Sequence, residues 1–270
     1  MGEIFPELRR QEMLNLLRHN GQVSVSELSR KFGVSEVTIR NDLQILVERN
    51  LIIRTHGGAI PVEAVPEISL NLRRTQRTTE KERIGFLAAQ LIEDGEAVFL
   101  DTSSTALALM QHLKKRRELT IITNSLAIAQ TSIDHNGLTI VIIGGIYQRD
   151  TDSLVGLKGI EMLRQFHIQK GFFGAHGISY PEGLTDVSYT EAELKREVIK
   201  MCRKVIAIVD SSKWNRVGFS SFARLEDINT VVTDTKPPDP WEEKLAALGI
   251  SLITNSSHHF SEEYKEYGSQ

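Results

Sequence analysis

The feature that most constrains this chain is a recurrence of short runs, rich in β-branched residues, that are apolar on consecutive positions. They are Ala97–Asp101, Thr120–Thr123, Thr139–Gly144, Lys170–Gly174, Lys204–Asp210, Thr230–Asp234 and Ser251–Thr254. A strand with one wet face alternates apolar and polar residues, so runs without alternation call for burial on both faces. Between most of them lie amphipathic stretches of helical length: Glu80–Glu93, Ser104–Lys115, Leu126–Asp134, Leu157–Phe166, Tyr189–Cys202 and Trp241–Leu248. This alternation predicts an α/β domain over residues 80–256, built on a mostly parallel sheet with helices covering it.

The chain before residue 80 reads differently. Residues 61–79 contain Pro61 and Pro66, little apolar periodicity and the basic residues Arg73, Arg74 and Arg77, which predicts a linker. Within residues 1–60, Met13, Leu16 and Leu17 recur at helical spacing after Pro6, and Ser24-Val-Ser-Glu27 is a capping-box pattern. Gly33 then supplies a corner and Ser35 caps a further helix, so the segment predicts helix, tight turn, helix. Leu51–Arg54, Gly57-Gly58 and Ala59-Ile60 read as a hairpin wing with a diglycine turn. The polar tail, 257–270, is expected to be partly disordered.

Composition narrows the chemistry. The 270 residues are 40% hydrophobic with a net charge of −3, which suits a sizeable core and argues against a generally cationic coat. Residues 1–60 nevertheless carry eight basic side chains against seven acidic, whereas the remainder carries 24 against 28. With the single cysteine Cys202 there is no disulfide within the chain and no cysteine-built zinc site, so a reducing, cytoplasmic setting is expected. No run has the length of a membrane span, and no cofactor or metal motif stands out.

On a 3.6-residue wheel the second helix of the turn motif places Ile39, Leu43, Leu46 and Val47 on one stripe. Val37, Asn41 and Gln44 fall opposite, with Thr38 and Arg40 on the flanks. Asn and Gln can each donate to and accept from an adenine edge, Arg can fork onto guanine or phosphate, and a valine methyl can meet a thymine methyl. Ser35 and Thr38 carry hydroxyls at the helix start, suited to phosphate oxygens, and Arg54 or His56 on the wing could lie along the backbone. The face therefore predicts a reader of double-stranded operator DNA, although a small helical bundle with a solvated face would write the same pattern. A module of net charge near +1 neutralises few phosphates, so one copy would bind weakly. Repeated half-sites then predict a homo-oligomer, dimer or tetramer, assembled through the larger domain.

In open α/β sheets ligands collect at the carboxyl ends of strands. The first such end, Asp101-Thr-Ser-Ser-Thr105, opens a helix with the hydroxyls of Ser103, Ser104 and Thr105 and with free backbone N–H groups, a cradle for a phosphate dianion. Asp101 would repel that charge and is expected to accept hydrogen bonds from its own loop or from a sugar hydroxyl. Further ends supply Asn124 and Ser125, the glycines Gly144 and Gly145, and His176 within Gly174-Ala-His-Gly177. Lys195, Lys213 and Arg149 are candidates to balance the phosphate. Glu191 and Lys195, four apart on a helix, could equally be a surface ion pair.

These residues carry a family resemblance. Arg9-x3-Met13-x3-Leu17 followed by Ser35-x2-Thr38-Ile-Arg-Asn-Asp-Leu43 resembles the amino-terminal signature of the DeoR family of bacterial transcriptional regulators. Leu100-Asp-Thr-Ser-Ser-Thr105, Thr123-Asn-Ser125, the diglycine, Gly183-Leu-Thr185, Glu191 with Lys195, and Asp210-Ser-Ser-Lys213 follow in the order of that family's effector domain. The resemblance implies a winged helix-turn-helix followed by a ribose-5-phosphate isomerase-like domain, with a phosphorylated sugar relieving repression of a carbohydrate catabolism operon. Asp42, which flanks the apolar stripe of the second helix of the turn motif, is expected to be a structural cap or salt-bridge partner rather than a base reader. The isomerases carry acidic residues in the loop written here Gly174-Ala-His-Gly-Ile178, and their absence implies a sensor with no catalytic residue. The alternative is an isomerase-like enzyme with an accessory DNA-binding domain, in which His176 would be the base.

Overall fold

The computed structural model describes residues 6–20, 23–48, 52–55, 58–61, 70–132 and 137–255. The chain forms two compact units, residues 1–66 and 67–270. In the first, α1 (Pro6–Asn20), α2 (Val25–Phe32) and α3 (Glu36–Glu48) pack with a three-stranded sheet of β1 (Val23–Ser24), β2 (Ile52–Thr55) and β3 (Gly58–Pro61), ordered β1-β3-β2. The expected capping box is present: Ser24 Oγ accepts from the Glu27 N–H at 3.2 Å and Glu27 accepts from the Ser24 N–H at 3.1 Å. Gly33 makes the corner between α2 and α3 in the left-handed region, φ 65°, which costs a glycine little.

Met13, Leu17, Leu28, Ile39, Leu43 and Leu46 close the small core. Asp42 is buried beside them and accepts from Arg9 Nε at 2.6 Å and Arg10 Nη1 at 2.9 Å, tying α3 to α1. The hairpin forms as expected, with one correction. Gly58 is not a turn residue but lies within β3, opposite Ser24, where a Cβ would stand 1.8 Å from the Val23 carbonyl oxygen. The glycine is required by the close approach of β1.

The second unit begins with α4 (Leu70–Thr75) and α5 (Thr78–Ala89), followed by β4 (Ala97–Leu100), α6 (Ser104–Gln111), β5 (Leu119–Thr123), α7 (Leu126–Thr131) and β6 (Leu138–Ile142). A hairpin, β7 (Ile146–Gln148) and β8 (Ser153–Val155), precedes α8 (Leu157–Leu163), β9 (Ile168–Phe173), β10 (Gly177–Ser179), β11 (Gly183–Asp186) and α9 (Tyr189–Ile199). The chain continues through β12 (Cys202–Ile208), β13 (Ser220–Ala223), β14 (Thr230–Val232), α10 (Trp241–Ala247) and β15 (Ser251–Ile253). The seven apolar runs become one seven-stranded sheet, ordered β15-β14-β12-β9-β4-β5-β6, and every pairing in it is parallel.

Neighbouring residues of these strands serve opposite cores. Phe99, Ile122, Phe173, Ala207 and Val231 pack on one face, and Val98, Leu100, Ile121, Phe172, Ile206 and Val232 on the other. That is the physical meaning of consecutive apolar residues. The strand order reverses between β4 and β9, the switch point where such sheets leave a crevice outside their carboxyl ends.

Two features depart from the expectation. Residues 61–79 are not wholly a linker, because α4 and the start of α5 lie within them. Leu70 is buried, and its N–H donates to the Asp150 carbonyl at 2.8 Å. One buried leucine, with Leu72 left exposed, makes too little periodicity to be read as a helix. The small antiparallel sheet β10-β11-β13 has no counterpart among the apolar runs, because its strands are only three or four residues long.

Candidate functional site

Helix α3 presents the face that the wheel predicts. Ile39, Leu43 and Leu46 are buried, and Val37, Arg40, Asn41 and Gln44 are exposed, Val37 to 63%. An apolar side chain held so far into solvent gains nothing for the core. Ser35 Oγ accepts from the Thr38 N–H at 3.1 Å and lies 2.9 Å from Thr38 Oγ1, so both hydroxyls order the helix start. Arg40 pairs with Glu36 at 2.6 Å, an exposed i,i+4 contact that is weak enough for a phosphate or base to displace. Arg54 stands in β2 opposite Ala59; its side chain, and the whole of His56, lie outside the described residues.

In the second unit the adjacent strands β5, β4, β9 and β12 bring most of the candidates to one sheet edge. Asp101 organises it. Its Oδ1 accepts from the Ser103 N–H at 3.0 Å and its Oδ2 from the Gly174 N–H at 2.9 Å, joining the loops that follow β4 and β9. These loops touch so closely that a Cβ on Gly174 would lie 2.4 Å from Ser103 Cβ. Ser103 caps α6 by accepting from the Ala106 N–H at 3.0 Å. Ser104 and Thr105 begin the helix, where backbone N–H groups have no intrahelical acceptor.

Lys195 and Glu191 correct the surface ion-pair reading: both are buried, and each serves other partners. Lys195 Nζ lies 2.8 Å from Asp101 and 2.7 Å from Asp186, and donates to the Gly174 carbonyl at 2.9 Å. Burial opposes its charge, but the two carboxylates outweigh that and hold its pKa above the usual lysine range. Its charge is therefore balanced within the protein, and it is a scaffold for the floor rather than a spare cation. Glu191 accepts from Ser153 Oγ, and from Asn124 Nδ2 and Thr102 Oγ1 at 3.3 Å each. Burial pushes its pKa up against those bonds, and the Asp186 charge adds to the rise. Asn124 Oδ1 is buried with no hydrogen-bond partner among the described residues, an acceptor left for a hydroxyl.

The spare positive charge lies elsewhere. Burial pushes Lys81 down to about 8; Asp210 opposes the shift, and the like charges of Lys213, Arg73 and Arg77 reinforce it. Lys213 is lowered in the same way by burial, against Asp210 and with Arg216 and Arg73. Lys81 Nζ donates to the carbonyls of Arg73 and, at 2.6 Å, of Gln76, leaving one of its three hydrogens. Arg77 pairs with Asp210 at 2.9 Å, which occupies the carboxylate that would otherwise neutralise the lysines. Two lysines that lose proton affinity through burial among cations form a site in want of an anion.

His176 sits beside this cluster with its pKa depressed to about 4 by burial and by Lys213, against Asp186 and with Arg216 and Arg73. It is neutral near pH 7 and can donate or accept a hydrogen bond. Ser125 is buried and caps α7 by accepting from the Ile128 N–H at 3.3 Å. Gly144, Gly145 and Arg149 are not brought in: they are exposed on the β6–β7 turn and the hairpin tip, and Gly145 packs against the Val155 carbonyl. Sequence reasoning missed Lys81, Asp186, Ser153 and the role of Arg73. The basic cluster at 73–77 was visible but read as linker. Among the described residues no group of three or more His, Cys, Asp or Glu is placed to hold a metal, and no helix is long and apolar enough to cross a membrane.

A helix-turn-helix with an exposed polar face, joined in one chain to an α/β unit whose polar loops converge at the switch-point edge, defines a regulator that carries its own sensor. The chain belongs to the DeoR family: it matches the DeoR-like helix-turn-helix domain over residues 9–65 and the DeoR C-terminal sensor domain over residues 76–235. Relatives include the HTH-type transcriptional regulator GolR of Listeria innocua, 36% identical over 92% of this chain and 98% of that protein. The HTH-type transcriptional repressor GlcR of Bacillus subtilis is 34% identical over 93% and 96% of the two chains. The glycerol-3-phosphate regulon repressor of Escherichia coli is 34% identical over 85% and 91%. These relatives are named as regulators and not as enzymes. Among solved structures, ribose 5-phosphate isomerase A of Methanocaldococcus jannaschii is similar at 18% identity and TM-score 0.38, covering 50% of this chain and 53% of that one. A score this low carries no argument about activity.

Proposed function

We propose that the protein is a sequence-specific repressor of a carbohydrate catabolism operon, released from double-stranded operator DNA when a phosphorylated sugar occupies the switch-point crevice. The observation that carries the reading is the pair Lys81, buried, and Lys213, half-buried, both lowered in pKa, at the same sheet edge as the Ser104–Thr105 helix start. A dianion there would raise the proton affinity of both lysines and accept from free N–H and hydroxyl groups. Asn124 Oδ1 and the neutral imidazole of His176 suit the sugar hydroxyls. On the other unit, Val37, Arg40, Asn41 and Gln44 form the base-reading face, with Ser35 and Thr38 at its phosphate end. We take the active form to be a homo-oligomer, because a single module of such low charge neutralises few phosphates.

The test is binding of the full chain to its own promoter fragment, by fluorescence anisotropy, with and without a panel of pentose and hexose phosphates. Tight, sequence-dependent binding that one of the sugar phosphates weakens is expected. By linkage, operator DNA must weaken the affinity for that sugar phosphate by the same factor. Equal affinity for promoter and random duplex across ionic strengths would overturn the DNA reading. Promoter binding indifferent to every phosphorylated sugar would overturn the effector reading.

A further inference from the structure

We infer that Arg73 is a ligand-operated latch: its guanidinium closes on the anion at the sheet edge, so that occupancy orders α4, the first helix after the boundary between the two units. The inference rests on the reading of that edge as an anion site. Nε and Nη2 of Arg73 are shielded from solvent and have no hydrogen-bond partner among the described residues. Burying a charged donor without an acceptor is unfavourable, and an added acceptor would relieve that penalty. The surroundings say what kind of acceptor. Arg73 bears electrostatically on Lys81, Lys213 and His176, two cations and a neutral imidazole. The carboxylate it also acts on, Asp186, is held by Lys195 at 2.7 Å. What is lacking is a negative charge from outside, and a planar guanidinium fits the paired oxygens of a phosphate with two parallel hydrogen bonds.

The attachment of α4 makes this contact consequential. Six residues of helix have no stability of their own, so the order of α4 depends on what it touches. It is held by the burial of Leu70, by the Leu70 N–H to Asp150 bond, and by Lys81, whose ammonium caps the Arg73 and Gln76 carbonyls. Lys81 thus reaches the end of α4 and the anion with one ammonium group, and Arg73 would add a second tie from α4 itself. The unit boundary falls after Pro66, so the segment that senses the anion is the one that leads to the DNA-reading unit.

Hydrogen exchange of the full chain tests the latch, with inorganic phosphate and glucose 6-phosphate as separate probes to distinguish a free anion from a phosphorylated sugar. Phosphate should raise the melting temperature and slow exchange across residues 70–81. Arg73→Gln should fold normally, bind phosphate at least about tenfold more weakly and lose the slowing at 70–81, because a hydrogen bond to a charged group contributes about that factor. Arg73→Lys should restore affinity only in part. If Arg73→Gln binds as tightly as the parent, or exchange at 70–81 ignores phosphate that does raise the melting temperature, the latch is overturned and the anion site stands. If binding survives Ser104→Glu yet still depends on Arg73, the latch stands and the helix-start cradle fails. If neither probe raises the melting temperature, both readings fall.

Discussion

Arg9 and Arg73 are two shielded arginines with opposite accounts. Arg9, in the DNA-reading unit, is closed: its guanidinium meets Asp42 at 2.6 Å, and Arg10 joins the same carboxylate at 2.9 Å. Arg73, in the sensor unit, has Nε and Nη2 buried without an acceptor among the described residues, and it bears on the cations Lys81 and Lys213 as well as on Asp186. A closed pair holds two helices together and has nothing further to do. An open cation stores a demand that only a ligand meets. The contrast separates structural from functional charge more sharply than burial or residue type does.

The largest test of the contrast is Asp42→Ala, which removes the buried carboxylate that Arg9 and Arg10 share. Breaking a buried pair on one side costs about 3–5 kcal/mol, enough to unfold a marginal module. Urea denaturation should show the first unit destabilised by that amount, and a loss under about 1 kcal/mol would mean the pair is not structural. On the exposed side of the same helix, Asn41→Ala should leave the melting temperature unchanged and weaken promoter binding by about 1–3 kcal/mol, the worth of a good base contact. Unaltered affinity in a titration would remove α3 as the reader. Gly174→Ala tests the sensor floor: the added methyl meets Ser103, which costs about 1–3 kcal/mol of overpacking and spreads the loops joined by Asp101. Its signature is weaker phosphate binding with DNA binding retained.

The smallest effect is in proton uptake. Lys81 has its pKa lowered to about 8, so the folded protein loses that proton before the unfolded chain does. Stability of the sensor unit measured without added ligand therefore gains as pH rises from about 8 towards the ordinary lysine value near 10.4. A bound anion reverses the shift, so phosphate affinity should decline over the same window. Calorimetry in buffers of different ionisation heat should register proton uptake near pH 8.5. Uptake that persists unchanged in Lys81→Met would assign it to another group.

Much of the fold was legible because both-face burial leaves a local mark. Consecutive apolar residues in each run announced the seven central strands, and the wheel separated Leu43 from Asn41 without any tertiary information. Asp42 could be placed as structural because it flanks the apolar stripe. The sensor site was legible only at strand ends. Asp101, Ser103 and Asn124 follow apolar runs directly, whereas Lys81 lies in the charged stretch Glu80-Lys-Glu-Arg83, indistinguishable from a solvated helix face. Arg73 hid among residues that look like linker. Glu191 and Lys195 have helical spacing that suggests mutual pairing, and only packing from β8 and β11 shows that each goes elsewhere. Charge roles depend on which distant segments converge, and no window of local sequence contains that.

One consequence follows from the way Asp101 holds two loops and an ammonium at once. A floor fastened by three bonds is rigid before any guest arrives, so its shape decides which molecules are admitted. Helix α4 is tethered at few points and, as the proposed latch, would set how long a guest remains. Substitutions in the floor should change the spectrum of accepted sugars, whereas those in α4 should alter dissociation rate with little change in preference. Selectivity and residence time would then be tunable apart, the first by evolution of the loops and the second by evolution of a single short helix.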